Sequence, residues 1–97
     1  YKVSALEIEE ILRTHPDIKE CAVVGIPDAV WGERVAAALV VHKGASLDIG
    51  SLREWAKERL ATYKIPKGAL LVEELPKNAM GKVSKPALKA LMEGKNV

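Results

Sequence analysis

The 97-residue chain has one cysteine, Cys21. No disulfide can form within it and no cysteine metal cluster is available, and a lone thiol fits a reducing compartment. Cys21 stands in the apolar run Cys21-Ala22-Val23-Val24, where it reads as a small buried hydrophobe and not as a nucleophile. His15 and His42 are the only histidines, far apart in sequence, and nothing near them has metal-ligand spacing. The longest apolar run, Val35 to Val41, is strand length, well short of the roughly 20 residues that span a bilayer. Neither of the glycine-rich phosphate loops GxGxxG and GxxxxGK[ST] occurs, and there is no Gly-x-Ser-x-Gly elbow. No signal-peptide pattern opens the chain. The chain therefore shows no complete catalytic machine of its own.

Charge of one sign is lacking as well. Fifteen basic and 13 acidic residues give a net charge of +2, too balanced to argue for nucleic acid on bulk charge. The distribution is uneven. Glu7, Glu9 and Glu10 make the first predicted helix acidic, whereas from Lys77 onward lysines are opposed by one acid, Glu93. A basic C-terminal stretch suits an anionic ligand, but a solvated surface is the default account of any single lysine.

The length is that of one domain. Ser4-Ala5-Leu6-Glu7 has the form of a capping box, in which Ser4 accepts from the Glu7 amide and the Glu7 carboxylate reaches back. The helix it opens runs to about Thr14, with Ala5, Ile8, Ile11 and Leu12 on one face, and ends at His15-Pro16. Glu20 to Ile26 and Val35 to Val41 read as buried strands, separated by a loop from Pro27 to Arg34 that holds Trp31-Gly32. Asp48 or Ser51 caps a second helix reaching about Leu60, with Leu52, Trp55, Ala56 and Leu60 on its apolar face and Trp55 in the core. A loop follows over Ala61 to Gly68, then a strand over Ala69 to Glu73, then a polar turn over Pro76 to Lys82. Ser84 caps a last helix that tolerates Pro86 in its first turn. The predicted fold is a small single α/β (α+β) domain: about three main strands, a short basic hairpin turn and about three helices packed on the sheet. Tyr1-Lys2-Val3-Ser4 runs almost directly into a helix with no initiator methionine, as expected of a piece of a longer protein.

The segment Leu75-Pro76-Lys77-Asn78-Ala79-Met80-Gly81-Lys82-Val83-Ser84-Lys85 gathers several ammonium groups on a turn set by a proline and a glycine. Lys82, on its long stem, can reach an anion on another surface and stabilise charge developing on a phosphate or carboxylate. On physical grounds alone a solvated hairpin with surface lysines is the favoured account. Pro76 to Lys85 resembles the last signature motif of the adenylate-forming superfamily, Pro-x-x-x-x-Gly-Lys-x-x-[Lys/Arg], which includes acyl-CoA synthetases, peptide-synthetase adenylation domains and luciferases. Tyr1 to Glu9 resembles the segment that follows the family's hinge. Ala22-Val23-Val24-Gly25-Ile26-Pro27-Asp28, then Trp31-Gly32-Glu33, resembles its Ala-Val-[Val/Ile]-Gly-x-Pro-Asp run. The three motifs stand in register across essentially the whole chain. Tyr1 to Glu7 and Asn78 to Lys82 look most like enzymes that activate malonate or methylmalonate.

The resemblance implies that residues 1–97 are the C-terminal lid domain of such an enzyme, with the large N-terminal domain that binds ATP, Mg2+ and the acid lying elsewhere. The lid swings between a pose for adenylation and a pose for the thiol acceptor, and Lys82 enters the site in the first, contacting the carboxylate and α-phosphate. In the second pose the resemblance implies that Trp31 stacks on the coenzyme A adenine, flanked by Tyr63. Lys64, Lys67 and Lys2 are the candidate cations for its phosphates. Relatives often have arginine where this chain has Ile65. Ordinary packing is the competing account of Trp31 and Tyr63. The partners so implied are the lid's own N-terminal adenylation domain and coenzyme A, with no nucleic acid. The expected location is cytoplasmic, with the mitochondrial matrix as alternative. Two rival functions are an adenylation domain loading a carrier protein and a stand-alone anion or nucleic-acid binding module.

Overall fold

In the computed structural model, residues 4–30, 32–95 and 97 are described. Lys2 and Trp31 lie outside them. Ser4 caps α1 (Ala5–Leu12), its hydroxyl accepting from the Glu7 amide at 3.3 Å. The reciprocal half of the capping box is not made, because the Glu7 carboxylate is paired with Lys64 at 2.6 Å. Asp48, not Ser51, caps α2 (Ile49–Ala56), accepting from the Ser51 amide at 2.7 Å. The helix stops short of Leu60, the chain turning after Lys57. Ser84 caps α3 (Lys85–Gly94), with Pro86 in the first turn, where a missing N–H removes no helical bond.

The sheet has three strands in the order β1 (Ile18–Asp28), β2 (Gly32–Val41), β3 (Gly68–Leu71). β1 and β2 form an antiparallel hairpin, and β3 adds parallel to β2. The loop expected from Pro27 to Arg34 is shorter than that, because both strands run on: Pro27 pairs opposite Glu33 and Asp28 opposite Gly32. Proline is tolerated there because β1 is an edge strand and needs no second ladder. Asp28 Oδ1 accepts from the Val30 amide at 2.8 Å and begins the turn, and Gly32 follows at φ +78.

The apolar runs of β1 and β2 look continuous in sequence because both faces of the sheet are covered. Cys21, Val23, Val35, Ala37 and Leu39 face one way, toward Ile8 and Leu12 of α1 and Leu52 and Ala56 of α2. Ala22, Val24, Ile26, Ala36, Ala38 and Val40 face the other, toward Leu75 and toward Leu88 and Met92 of α3. The last two are fully buried, each contributing about 1.5–3 kcal/mol to docking α3. Trp55 is only half-buried at the margin of the first core. His15 meets it edge-on at 4.8 Å and the Arg59 guanidinium covers it at 4.3 Å. The predicted loop from Ala61 contains a 3-10 turn, Thr62–Lys64.

Candidate functional site

The polar turn is a hairpin closed at its base and locked at its tip. Lys77 bridges Val83 in antiparallel fashion, and the Ser84 amide donates to the Pro76 carbonyl at 2.8 Å. The Asn78 amide donates to the Lys82 carbonyl at 2.8 Å, and the Gly81 amide to the Asn78 carbonyl at 2.9 Å. Asn78 Oδ1 then accepts from the amides of Met80 at 2.9 Å and Lys82 at 3.1 Å. Gly81 sits at φ +81, a left-handed conformation in which a side chain would be strained. Asn78 thus organises the tip. In the sequence it is legible only as a turn residue.

Lys82 follows this glycine at the exposed end of the hairpin. Among the described residues its ammonium has no hydrogen-bond or ion-pair partner. Its neighbours differ: Lys77 Nζ lies 3.4 Å from Glu20, and Lys85 Nζ lies 2.5 Å from Glu9 Oε2. A fixed backbone carrying an unengaged cation on a long stem is suited to neutralise an anion presented by another surface.

Buried Glu9 and half-exposed Lys85 form a polar cluster that the periodicity of the sequence does not announce. Glu9 is 7% exposed although it is a helix glutamate. Its Oε2 accepts from the Val23 amide at 2.7 Å, while Lys85 Nζ donates to the Val23 carbonyl at 2.6 Å. One signal was present: Glu9 borders the stripe formed by Ala5, Ile8 and Leu12, so its side chain starts at the edge of the core. Cys21 lies beside this cluster, donating to the Glu9 carbonyl at 3.5 Å. Burial foremost pushes its thiol up to about 11, so it stays protonated and unreactive near neutral pH.

The other candidates gather elsewhere. Tyr63 and Lys64 share the 3-10 turn, with Lys64 Nζ 5.6 Å from the Tyr63 ring centre. Tyr63 is 48% exposed and belongs to neither core. The Glu7 carboxylate, chiefly by its hydrogen bond, raises the pKa of the Lys64 ammonium above its ordinary value. Lys67 is exposed, and its amide donates to the Val35 carbonyl at 2.9 Å. Ile65 is buried in the first core. Leu75, at the base of the hairpin, belongs to the second core. The Lys82 and Tyr63 segments are therefore anchored in opposite faces of one sheet.

The described residues contain no group of three or more His, Cys, Asp or Glu able to hold a metal ion, and no helix long and apolar enough to cross a membrane. Residues 7–82 match the family described as the AMP-binding enzyme C-terminal domain. The mitochondrial malonate–CoA ligase of Mus musculus is 54% identical over 88 residues, which are 91% of this chain and 15% of that protein. The malonate–CoA ligase of Arabidopsis thaliana is 43% identical over 96% of this chain and 17% of its own length. Among solved structures, apo MatB from Rhodopseudomonas palustris superposes with a TM-score of 0.93 at 36% identity, covering all of this chain and 19% of that one. The chain spans less than a fifth of the length of each of these relatives.

Proposed function

We propose that this chain, which belongs to the family of AMP-binding enzyme C-terminal domains, is the mobile lid of an ATP-dependent acid–thiol ligase. The whole enzyme joins a carboxylic acid to AMP and then passes the acyl group to coenzyme A. Malonate is the acid that the named relatives in mouse and Arabidopsis support. The observation that carries the reading is Lys82: an unpartnered cation at the tip of a hairpin locked by Asn78. In adenylation the carboxylate attacks the α-phosphate while pyrophosphate leaves, and negative charge gathers around that phosphorus. An ammonium placed there neutralises it, and a preorganised turn delivers it with little motional loss.

ATP and its Mg2+ fall to the N-terminal domain in this reading. Coenzyme A is the thiol acceptor, and the exposed Tyr63 ring with the neighbouring Lys64 and Lys67 is the surface proposed for its adenine and phosphates. Trp31 and Lys2 complete that set from the sequence pattern. The mouse relative's name favours the mitochondrial matrix over the cytoplasm.

Half-reactions of the full-length enzyme test the assignment. Lys82→Ala lowers ATP–pyrophosphate exchange driven by the acid about 10²–10³-fold and spares thioester formation from preformed acyl-adenylate. Equal loss of both half-reactions contradicts the assigned role.

A further inference from the structure

We infer that Lys85 is a positioning residue for adenylation: held by Glu9 and Val23, it fixes the base of the hairpin that carries Lys82. The inference rests on the reading that Lys82 acts in that step. Lys85 is the first residue of α3, at the positive end of the helix dipole, where a cation is disfavoured. The helix does not need it there, because Ser84 supplies the cap and Leu88 and Met92 supply the docking surface. Its ammonium instead reaches a glutamate 76 residues earlier in the chain.

What it meets there is the open edge of the sheet. Among the described residues β1 pairs only with β2, so there the outward backbone groups of an edge residue lack a strand partner. At Val23 the amide donates to Glu9 and the carbonyl accepts from Lys85. Glu9 comes from α1 on one face of the sheet and Lys85 from α3 on the other. One ion pair thus closes the edge and pins both helices to a single residue.

The constraint passes to Lys82 through the two residues between them. Val83 is bridged to Lys77, and the Ser84 amide is bonded to the Pro76 carbonyl at 2.8 Å. A shift of Lys85 therefore moves the base of the hairpin. Only the Glu9 end of the pair is buried, and removing Lys85 leaves that carboxylate with the Val23 amide and an Arg13 guanidinium 4.0 Å away. The pair's contribution is the direction in which Lys82 points.

The test uses the full-length ligase. Lys85→Met lowers kcat for pyrophosphate exchange about 10- to 100-fold, the loss expected for a misplacement of about 1 Å, and leaves KM for ATP within about twofold. Thioester formation from preformed acyl-adenylate continues, which also shows that the variant is folded. Lys85→Arg recovers part of the loss, since a guanidinium can still span Glu9 and the Val23 carbonyl. On a Lys82→Ala background, Lys85→Met has no further effect on exchange, because the residue acts through Lys82. Should Lys85→Met fail to fold, Glu9→Gln carries the same comparison, keeping an acceptor for the Val23 amide while removing the charge. Equal loss in both half-reactions, no loss in exchange, or a full additional loss on the Lys82→Ala background overturns the positioning role. If Lys82→Ala itself leaves exchange intact, the reading of Lys82 falls, and this inference falls with it. If Lys82→Ala cuts exchange as expected while Lys85→Met is harmless, only the positioning role is lost.

Discussion

The hairpin that carries Lys82 and the 3-10 turn that carries Tyr63 and Lys64 are held in opposite ways. The hairpin is fixed by backbone bonds, by two amides on Asn78 Oδ1, and at its base by the pair of Lys85 with the buried Glu9. The Tyr63 segment is a turn of three residues steadied by a more exposed ion pair between Lys64 and Glu7. Both ion pairs end on α1, two residues apart, yet Glu9 is buried and Glu7 is half in solvent. A cation that must meet a developing charge needs a fixed direction, because rate falls steeply with misplacement. A surface that stacks on an adenine and attracts phosphates tolerates more motion, since stacking and long-range charge are less strict about angle.

Four substitutions in the full-length enzyme break or sharpen that contrast. Lys82→Ala has the largest effect, about 10²–10³-fold in pyrophosphate exchange, comparable to removing a preorganised transition-state donor. Asn78→Ala frees the amides of Met80 and Lys82 and lowers exchange about 10-fold, with a small fall in thermal midpoint and no change in KM for coenzyme A. Tyr63→Ala raises KM for coenzyme A about fivefold, as expected for loss of a stacking ring worth about 1 kcal/mol, and leaves exchange unchanged. Glu7→Gln is the smallest: a surface pair of this kind contributes about 0–1 kcal/mol, so stability and both half-reactions change by less than about twofold. A large effect of Glu7→Gln on exchange would erase the distinction between the two segments.

Local features of the fold were legible in the sequence, and long-range ones were not. Ser4, Asp48 and Ser84 mark helix starts because a short polar side chain binds amides two or three residues ahead. The run from Val35 to Val41 announced a strand with both faces buried. Pro27 and Gly32 suggested a loop, and misled, because both fit strand ends in a hairpin whose outer side has no partner strand. Trp55 reads as core from helical spacing, but α2 rotates it to the margin, beneath Arg59. For the candidate site, Lys82 stood out by its place after Pro76 and Gly81. The Glu9–Lys85 pair joins opposite ends of the chain, and no periodicity reports such a contact. Its local traces are a glutamate at the border of an apolar stripe and a lysine at the unfavourable end of a helix, each closing a motif that resembles the family's.

The claim that one lid serves two steps with two separate surfaces is tested most directly by a crossed single-turnover measurement. Lys82→Ala and Tyr63→Ala are each assayed for acyl-adenylate formation and for thioester formation from preformed adenylate. The account predicts a crossed pattern, with Lys82→Ala slow only in the first step and Tyr63→Ala impaired only in the second, at low coenzyme A. Parallel losses, with each variant slowing both steps by the same factor, would contradict it.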